Sequence, residues 1–367
     1  MALLAVGTDK LIHNYKIFSK AVNSQNNCVV IPVLATNGYG LGGVEIAGIL
    51  YENGVRFFAC GSLHDAIKIK NHYNNAEVLL LNTYSSLEEA RAIVANDIIA
   101  SVGSYDNGVV LSGMSQELRK EVKFHLKFDT DMARMGFNYD EVQKAIQVAK
   151  FLPGLKLCGV YANITSYECK SKKKAQLALT KFKTMLSLLK RDDIDCGLIH
   201  LAGTVGALKH PSLRLNAVRC GSALTGDIKI KDKWGFKKVS RLVCGITDIR
   251  WVPQKQKIGI NNSYKTRKST KIAIVDAGYI DGVGVGIINE PYKVGQGFSR
   301  IWKTILTTVR GRKTYCDING KKARVIGRAD LETLIVDVTK IGCKPGDIVS
   351  FEINPIFVNT KVERSYV

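Results

Sequence analysis

Five short segments carry side chains suited to chemistry, and each follows an apolar run that predicts a β-strand. They are residues 35–40, residues 127–134, Asn163, residues 203–204 and residues 219–222. Together they contain lysine, arginine, tyrosine, threonine and serine side chains and several glycines. Backbone amides, hydroxyl groups and fixed positive charges are what an anion-binding site requires. The segments therefore predict a site for an anionic ligand, provided that the fold brings the strand ends together.

The elements that must position these segments alternate along the first part of the chain. Residues 44–53, 87–95 and 175–190 place apolar side chains at the spacing of an amphipathic helix. Eight apolar runs predict strands, at residues 28–35, 57–62, 78–83, 98–104, 122–130, 155–163, 196–203 and 216–225. This order predicts an α/β fold, a (β/α)8 TIM-like barrel over residues 1–227, whose active site lies at the carboxyl ends of the strands.

The pattern changes after residue 227. Turn sequences such as DINGKK and CKPGD separate strand-like runs at residues 242–252, 270–278, 302–310, 322–327, 332–338 and 347–353. We therefore expect an antiparallel all-β domain over residues 228–367.

Composition excludes several classes of protein. Hydrophobic residues make up 46% of the 367 residues and charged residues 23%, which is typical of a folded globular chain and excludes a disordered one. No apolar run approaches the roughly 18 residues of a membrane-spanning helix, and no signal peptide is expected at the N-terminus. Nine scattered cysteines without a CxxC pair favour buried free thiols in a reducing cytoplasm over a disulfide framework or a metal site.

The chain carries a net charge of +21, and residues 227–367 contribute +14 of it. A basic domain can contact RNA or another polyanion. The basic residues are spread over many strands, however, and no nucleic-acid-binding motif accompanies them. A solvated basic surface is therefore favoured over a nucleic-acid partner.

Six motifs resemble the alanine racemase family, whose members are fold-type III enzymes that use pyridoxal phosphate. They occur in the family's order and fall largely on the predicted strand ends. The motifs are VLATNGYGLG (33–42), HLKFDTDMARMG (125–136), IHLAGTVGA (199–207), VRCGSALTG (218–226), GYIDG (278–282) and IGRADLETLIVDV (326–338).

The resemblance implies roles for the residues at the strand ends. Tyr39, Thr204 and the backbone amides of Gly221 and Ser222 would form a cup for the cofactor phosphate. Arg219 would lie against the pyridine nitrogen and keep it unprotonated.

Further roles concern the substrate side of the site. Lys127 matches a family lysine that is often carbamylated, and it would hold Arg134 against the substrate carboxylate. The family forms head-to-tail homodimers, which implies that Tyr279 reaches the site of the other protomer and that the first few residues pair with the β domain. Leu331 and Glu332 align with a Met-Asp pair of the family.

The departures from the family pattern concern the groups that move protons. Ala35 stands where the family has the lysine that forms the Schiff base and serves as one of the two racemisation bases. Ile260 stands at the position of the second base, a tyrosine, although a small shift would bring Tyr264 there instead. Three further positions differ: Asn163 replaces a ring-stacking histidine, Gly203 an asparagine and Asp131 a glycine.

Other candidates for acid–base work are weaker. Lys127 is the one lysine placed at a strand end facing the barrel mouth, and the resemblance gives it a structural role. His125 and His200 alternate with mouth residues, so we expect them to pack inside the barrel.

Three functions remain open. The first is a divergent family member that does not racemise and keeps an anion- and carboxylate-binding pocket for another ligand or reaction of amino-acid metabolism, with any pyridoxal phosphate held non-covalently. The second is an alanine- or serine-type racemase whose Schiff-base lysine has been mutated. The third is an RNA- or polyanion-binding protein that acts through the basic β domain.

Overall fold

The computed structural model describes residues 2–23, 27–130, 132–228, 230–285 and 314–367. Asp131 and the predicted strand 302–310 lie outside these described residues. The chain forms two units, a barrel unit of residues 8–239 and a β unit of residues 1–7 and 240–367. The division falls after residue 239, and not after residue 227, because residues up to 239 pack on the barrel. The Asn14 side chain donates to the Lys237 carbonyl and accepts from the Lys237 amide, both at 2.8 Å.

Eight parallel strands form the barrel, at the positions that the apolar runs predict. They are β2 (Val29–Pro32), β3 (Phe57–Cys60), β4 (Glu77–Leu80), β5 (Ala100–Val102), β6 (Val122–Phe128), β7 (Leu155–Ala162), β8 (Leu198–His200) and β9 (Ala217–Cys220). Six pair in the order β2-β9-β8-β7-β6-β5, and β3 pairs with β4. The parallel bridges Val33–Ala59 and Leu79–Ile99 close the ring, so the predicted (β/α)8 barrel is confirmed.

Helices follow the strands, and serine caps begin four of them. The helices are α1 (Thr8–Val22), α2 (Ala35–Tyr39), α3 (Gly43–Glu52), α4 (Leu63–His72), α5 (Leu87–Ala95), α6 (Tyr105–Glu117), α7 (Val142–Phe151), α8 (Lys172–Arg191), α9 (Thr204–Lys209) and α10 (Ser222–Thr225). The side chains of Ser62, Ser86, Ser104 and Ser171 each accept from the backbone amide three residues later. Each such cap satisfies an amide that the helix itself leaves unpaired.

A buried polar chain runs through the barrel interior. One terminal nitrogen of Arg219 donates to His200 Nδ1, and His200 Nε2 lies 3.0 Å from His125 Nδ1. Because arginine only donates, His200 must accept at Nδ1 and donate at Nε2, so His125 carries its proton on Nε2. Burial, followed by the charge of Arg219, lowers the pKa of His125 to about 3 and that of His200 well below its usual value. Both imidazoles are therefore neutral, packed barrel residues.

The β unit is a closed barrel with a two-strand extension. Its strands are β1 (Leu3–Val6), β10 (Ser240–Val252), β11 (Lys257–Ile258), β12 (Tyr264–Lys265), β13 (Thr270–Val275), β14 (Tyr315–Ile318), β15 (Lys321–Val325), β16 (Leu334–Asp337), β17 (Ile348–Phe351) and β18 (Glu363–Tyr366). The order β13-β16-β15-β14-β17-β10 closes by pairing of β10 with β13. All of these pairs are antiparallel, whereas β1 joins β10 antiparallel and β18 parallel. The predicted all-β domain is confirmed, with this one parallel pair as an exception.

Two observations bear on the environment of the chain. All nine cysteines are free thiols, and seven of them are buried. No helix among the described residues combines the length and the apolar composition needed to cross a bilayer.

The two neutral histidines make the stability of the barrel depend on pH. Their pKa values are lower in the folded chain than in the unfolded one, so the unfolded chain binds more protons below about pH 6.5. The contribution of these two histidines to the free energy of unfolding is therefore fully present above that pH and decreases as the pH falls. Each pH unit below it removes about 1.4 kcal/mol for each such histidine.

We expect the unfolding free energy of the wild type, from urea titrations between pH 7.5 and 4.5, to fall more steeply with acidification than that of His125→Gln. The exposed His64 supplies the control, because His64→Gln removes a histidine that does not enter the polar chain. Equal slopes for wild type and His125→Gln would show that the buried pair does not titrate in this way.

Candidate functional site

The carboxyl ends of the barrel strands surround a cavity of about 390 Å³, which we call the strand-end cavity. This volume lies in the range of small-molecule binding sites. Ten positions singled out by sequence line it: Ala35, Tyr39, Lys127, Arg134, Asn163, Gly203, Thr204, Arg219, Gly221 and Ser222. Asn82 and Ser166 also line it and were not among the candidates from the sequence. Asn82 lies at the end of the predicted strand 78–83, a position that could have indicated it.

A left-handed turn shapes one wall of the cavity. Residues 36–40 all have positive φ, with 53° at Thr36 and 59° at Tyr39. A β-branched residue adopts this conformation at a cost, so neighbouring contacts must hold it there. The Asn37 side chain supplies one of these contacts by accepting the Gly43 amide at 2.7 Å.

The turn places the hydroxyl end of the Tyr39 side chain against Gly221. A Cβ atom at Gly221 would lie 2.2 Å from the Tyr39 hydroxyl oxygen, so only glycine allows this approach. Burial raises the pKa of Tyr39 to about 12, which keeps its hydroxyl protonated and able to donate a hydrogen bond. The fold therefore brings Tyr39 to the backbone segment with which the resemblance pairs it.

Thr204 organises the rest of the predicted cup. Its hydroxyl oxygen accepts from the Gly221 amide at 3.1 Å and from the Ala223 amide at 3.5 Å. Ser222 is the first residue of α10, where a helix has no backbone partner for its amides. The donors that an anion could use directly are thus the Tyr39 hydroxyl and the Ser222 amide. The Gly221 amide would first have to break its hydrogen bond to Thr204.

Arg219 is a buried cation whose terminal nitrogens already donate hydrogen bonds to the protein. Its second terminal nitrogen donates to Asn163 Oδ1 at 2.7 Å and to the Ala162 and Leu201 carbonyls at 2.8 and 3.0 Å. Burial lowers its pKa to about 10, so it remains charged at neutral pH. Among the described residues, every side-chain bond recorded for Arg219 leaves from a terminal nitrogen. Arg219 also lines the strand-end cavity, so its positive charge lies at the cavity wall.

Asn163 therefore has a defined place beside Arg219. It does not carry the aromatic ring of the family's histidine, and its amide oxygen binds the guanidinium instead.

Lys127 does not hold Arg134 as the resemblance implies. The Lys127 amine donates to the Leu81 carbonyl at 2.8 Å, while Arg134 is exposed and is bound through its backbone amide to Asp129 Oδ2. Two cations repel each other, and a lysine amine has no acceptor for an arginine. The expected contact would need a negative group on Lys127, such as a carbamate.

In the β unit, two of the predicted positions lie side by side. The Tyr279 amide donates to the Asp330 carbonyl, and the Ile280 amide donates to the Leu331 carbonyl, at 3.0 and 3.1 Å. A Cβ atom at Gly278 would lie 2.2 Å from the Leu331 oxygen, so glycine permits this approach. Arg328, which the sequence analysis did not select, donates from Nε to the Tyr279 hydroxyl oxygen at 3.3 Å.

Ile260 and Tyr264 also have defined positions in the β unit. Ile260 begins a short 3-10 turn with an aliphatic side chain that carries no exchangeable proton. Tyr264 lies in β12, opposite Ile258, and packs against a small apolar cluster of Ile258, Ile272 and Ile326. The nearby tyrosine is thus part of that packing.

The cavity fits one part of the implied cofactor and not another. The cup residues can hold a phosphate, and Arg219 adds a positive charge at the wall of the same cavity. Residue 35, however, is an alanine, so it brings no amine to this wall. Its methyl group lies 3.6 Å from the point where a Cβ atom on Gly61 would be. Pyridoxal phosphate therefore fits as a non-covalent ligand and does not fit as a group bound through residue 35.

Comparison with known proteins agrees with this architecture. The profile of the alanine racemase N-terminal domain matches residues 6–229, and that of the alanine racemase C-terminal domain matches residues 239–354. The alanine racemase of Methanococcus maripaludis is 26% identical over 92% of this chain and 85% of its own length. Alanine racemase 2 of Caldanaerobacter subterraneus subsp. tengcongensis is 25% identical over 94% of this chain and 83% of its own length.

Solved structures show the same fold. The alanine racemase of Clostridium difficile 630 superposes with a TM-score of 0.84 at 22% identity, covering 100% of this chain and 95% of its own. The alanine racemase of Bartonella henselae with covalently bound pyridoxal phosphate gives a TM-score of 0.80 at 22% identity, covering 100% of this chain and 99% of its own. Since the two domain profiles together cover most of its length, this chain belongs to the alanine racemase family.

Proposed function

We propose that this chain binds a small anionic, carboxylate-bearing ligand in the strand-end cavity and does not racemise amino acids. The observation that carries the proposal is the combination of residues that line one cavity. Arg219, Arg134, Thr204 and Gly221 line it, and an alanine methyl group occupies position 35. The retained groups all bind anions, whereas the altered position is one that would handle a proton.

The chemistry of racemisation explains why the two altered positions matter. Inverting Cα requires that a proton leave from one face and return on the other. Pyridoxal phosphate, when bound, supplies an electron sink for this chemistry. The protein must supply the two proton carriers. Neither the Ala35 methyl group nor the Ile260 side chain can bind or release a proton in water. The racemase alternative would need a natural sequence with lysine at position 35.

The retained groups support binding of an anion by charge and by hydrogen bonds. Arg219 stays charged in a dry setting, where a charge acts on its neighbours more strongly than in water. Arg134, on the exposed side, has a planar guanidinium that matches a carboxylate with two parallel bonds. The net charge of +21 adds a general attraction for anions.

The expected homodimer, a polyanion partner for the basic β domain and a cytoplasmic location remain predictions of the sequence.

The first prediction concerns the cup. We expect calorimetric titration of the wild type to show reversible binding of inorganic phosphate and of pyridoxal phosphate, weakened by added salt because the attraction is electrostatic. Tyr39→Phe removes one donor and should weaken binding roughly 2- to 10-fold, the range of a single hydrogen bond. Tyr105→Phe, an exposed position on α6, is the matched control and should bind as the wild type does. Binding weaker than millimolar, or no difference between the two variants, would contradict the assignment of the cup.

The second prediction concerns the missing proton carriers. In the presence of pyridoxal phosphate, Ala35→Lys alone should racemise alanine about 10²- to 10⁴-fold more slowly than Ala35→Lys combined with Ile260→Tyr, because one face of Cα lacks a positioned acid–base group. Chiral chromatography of the product measures both rates, and Ala35→Met controls for side-chain length without an amine. Full activity in the single variant would place the second base elsewhere, and racemisation by the unaltered chain would overturn the proposed function.

A further inference from the structure

Lys127 is an amine in an unusual position. It lines the strand-end cavity, although its side chain is only 2% exposed, and it is the one lysine among the described cavity residues. Its Nζ atom donates to the Leu81 carbonyl at 2.8 Å and lies 3.8 Å from the Met135 sulfur atom. No ion pair of this lysine is recorded within the described part of the chain. The amine is therefore held by neutral acceptors at the wall of a cavity.

The carboxylate that acts on Lys127, that of Asp129, accepts hydrogen bonds from the backbone. Asp129 Oδ1 accepts from the Met132 amide at 2.7 Å, and Asp129 Oδ2 accepts from the Arg134 amide at 2.9 Å. These bonds direct the carboxylate to the loop that follows β6. Asp129 therefore offsets the positive surroundings of Lys127 only in part.

The surroundings favour the neutral amine. Burial is the largest cause, and the charges of Arg134 and Arg219 add to it, so the pKa of Lys127 is lowered to about 8 despite the opposing charge of Asp129. Its population of neutral amine near pH 7 is then on the order of 100-fold larger than that of an ordinary lysine. A lysine that is desolvated or beside another cation is activated as a nucleophile toward carbonyl groups.

A second lysine on the same strand provides a natural comparison. Lys123 lies four residues earlier on β6 and forms an ion pair with Glu77 at 2.6 Å. This hydrogen bond raises the pKa of Lys123. The two lysines thus share a strand but differ in burial, charge environment and access to the cavity.

We propose that the Lys127 amine condenses reversibly with the carbonyl carbon of a small 2-oxo acid whose carboxylate is bound by Arg134. The inference rests on the proposed function, because it names the class of anionic ligand that the cavity takes. The Nζ lone pair attacks the carbonyl carbon and forms a C–N bond. The C–O bond breaks, and the oxygen leaves as water with both amine protons, which gives an imine. Water reverses the reaction, and no oxidant or reductant takes part.

The choice of ligand follows from the two groups that face the cavity. The amine needs a carbonyl carbon, and the guanidinium needs an anion with two parallel acceptor oxygens. A 2-oxo acid carries both on adjacent carbons. An uncharged aldehyde satisfies the amine alone, and inorganic phosphate satisfies only the anion-binding groups. These two molecules therefore separate the contribution of the Lys127 amine from that of the anion-binding groups.

The test traps the imine by reduction. The wild-type chain is incubated with pyruvate and sodium cyanoborohydride and is then analysed by intact mass and peptide mapping. We expect one carboxyethyl group per chain, located on the peptide that contains Lys127. Lys127→Met should lose this label, while Lys123→Met should keep it. The wild-type peptide map is decisive even if Lys127→Met does not fold.

A second comparison tests the role of Arg134. Arg134→Ala should reduce labelling by pyruvate at least about tenfold, as expected for loss of a charge-assisted pair. Labelling by propanal, an uncharged carbonyl compound of the same length, should fall much less, because loss of the Arg134 charge acts there only through the pKa of Lys127. A label spread over exposed lysines, an acid-labile carbamate on Lys127 in place of the carboxyethyl group, or equal pyruvate labelling of wild type and Arg134→Ala would each overturn the inference.

The outcome can be separated from that of the proposed function. Phosphate binding in calorimetry without a label on Lys127 would leave the anion-binding function standing and reject the imine. A label on Lys127 without phosphate binding would support the reactive amine and reject the cup.

Discussion

The buried charge of Arg219 is the constraint on which the rest of the barrel interior depends. An unpaired cation in a dry core costs several kcal/mol, so the surrounding chain must supply acceptors. It does so with the carbonyls of Ala162 and Leu201, the amide oxygen of Asn163 and the imidazole of His200. The histidine must stay neutral to accept this bond. The charge state of the whole polar chain therefore follows from burial together with this one residue.

The same charge extends its influence to the cavity. Burial lowers the pKa of Lys127 most, and the charges of Arg134 and Arg219 lower it further. A cavity with two guanidinium groups and one weakly basic amine is positive, polar and poor in general bases. Such a site selects anions, and it offers a nucleophile where the amine is neutral. This links the buried arginine to the class of ligand that we propose.

Sequence patterns predicted the fold well because the barrel depends on short-range regularities. All eight strands of the barrel follow apolar runs, and α5 has the predicted bounds, Leu87–Ala95. The rule that reactive groups lie at the carboxyl ends of strands then found ten residues of one cavity. These inferences need only the periodicity of each element and the topology of the barrel.

The parts that could not be predicted depend on contacts between distant residues. The left-handed turn at Thr36 is stabilised by neighbours and is opposed by the preference of a β-branched residue. The partner of Lys127 is a carbonyl 46 residues away, and no local pattern signals it. The resemblance implied that the first few residues pair with the β domain, but not that β1 lies parallel to β18. In each case the deciding interaction is a tertiary contact, which the spacing of residues along the sequence does not predict.

The structure also explains how a fold of this family can persist with its proton-carrying positions altered. Ala35 lies beside Gly61 at the open end of the barrel, while the apolar core cluster of Ile31, Val33, Ala59, Leu79, Ile99 and Ala217 lies below it. An alanine there leaves those core contacts intact. Ile260 begins a turn at which an aliphatic side chain needs no hydrogen-bond partner. Arg219, by contrast, cannot be removed without leaving several buried acceptors unpaired. Folding stability therefore requires Arg219 but not a base at positions 35 and 260, which supports the proposal that binding is kept without racemisation.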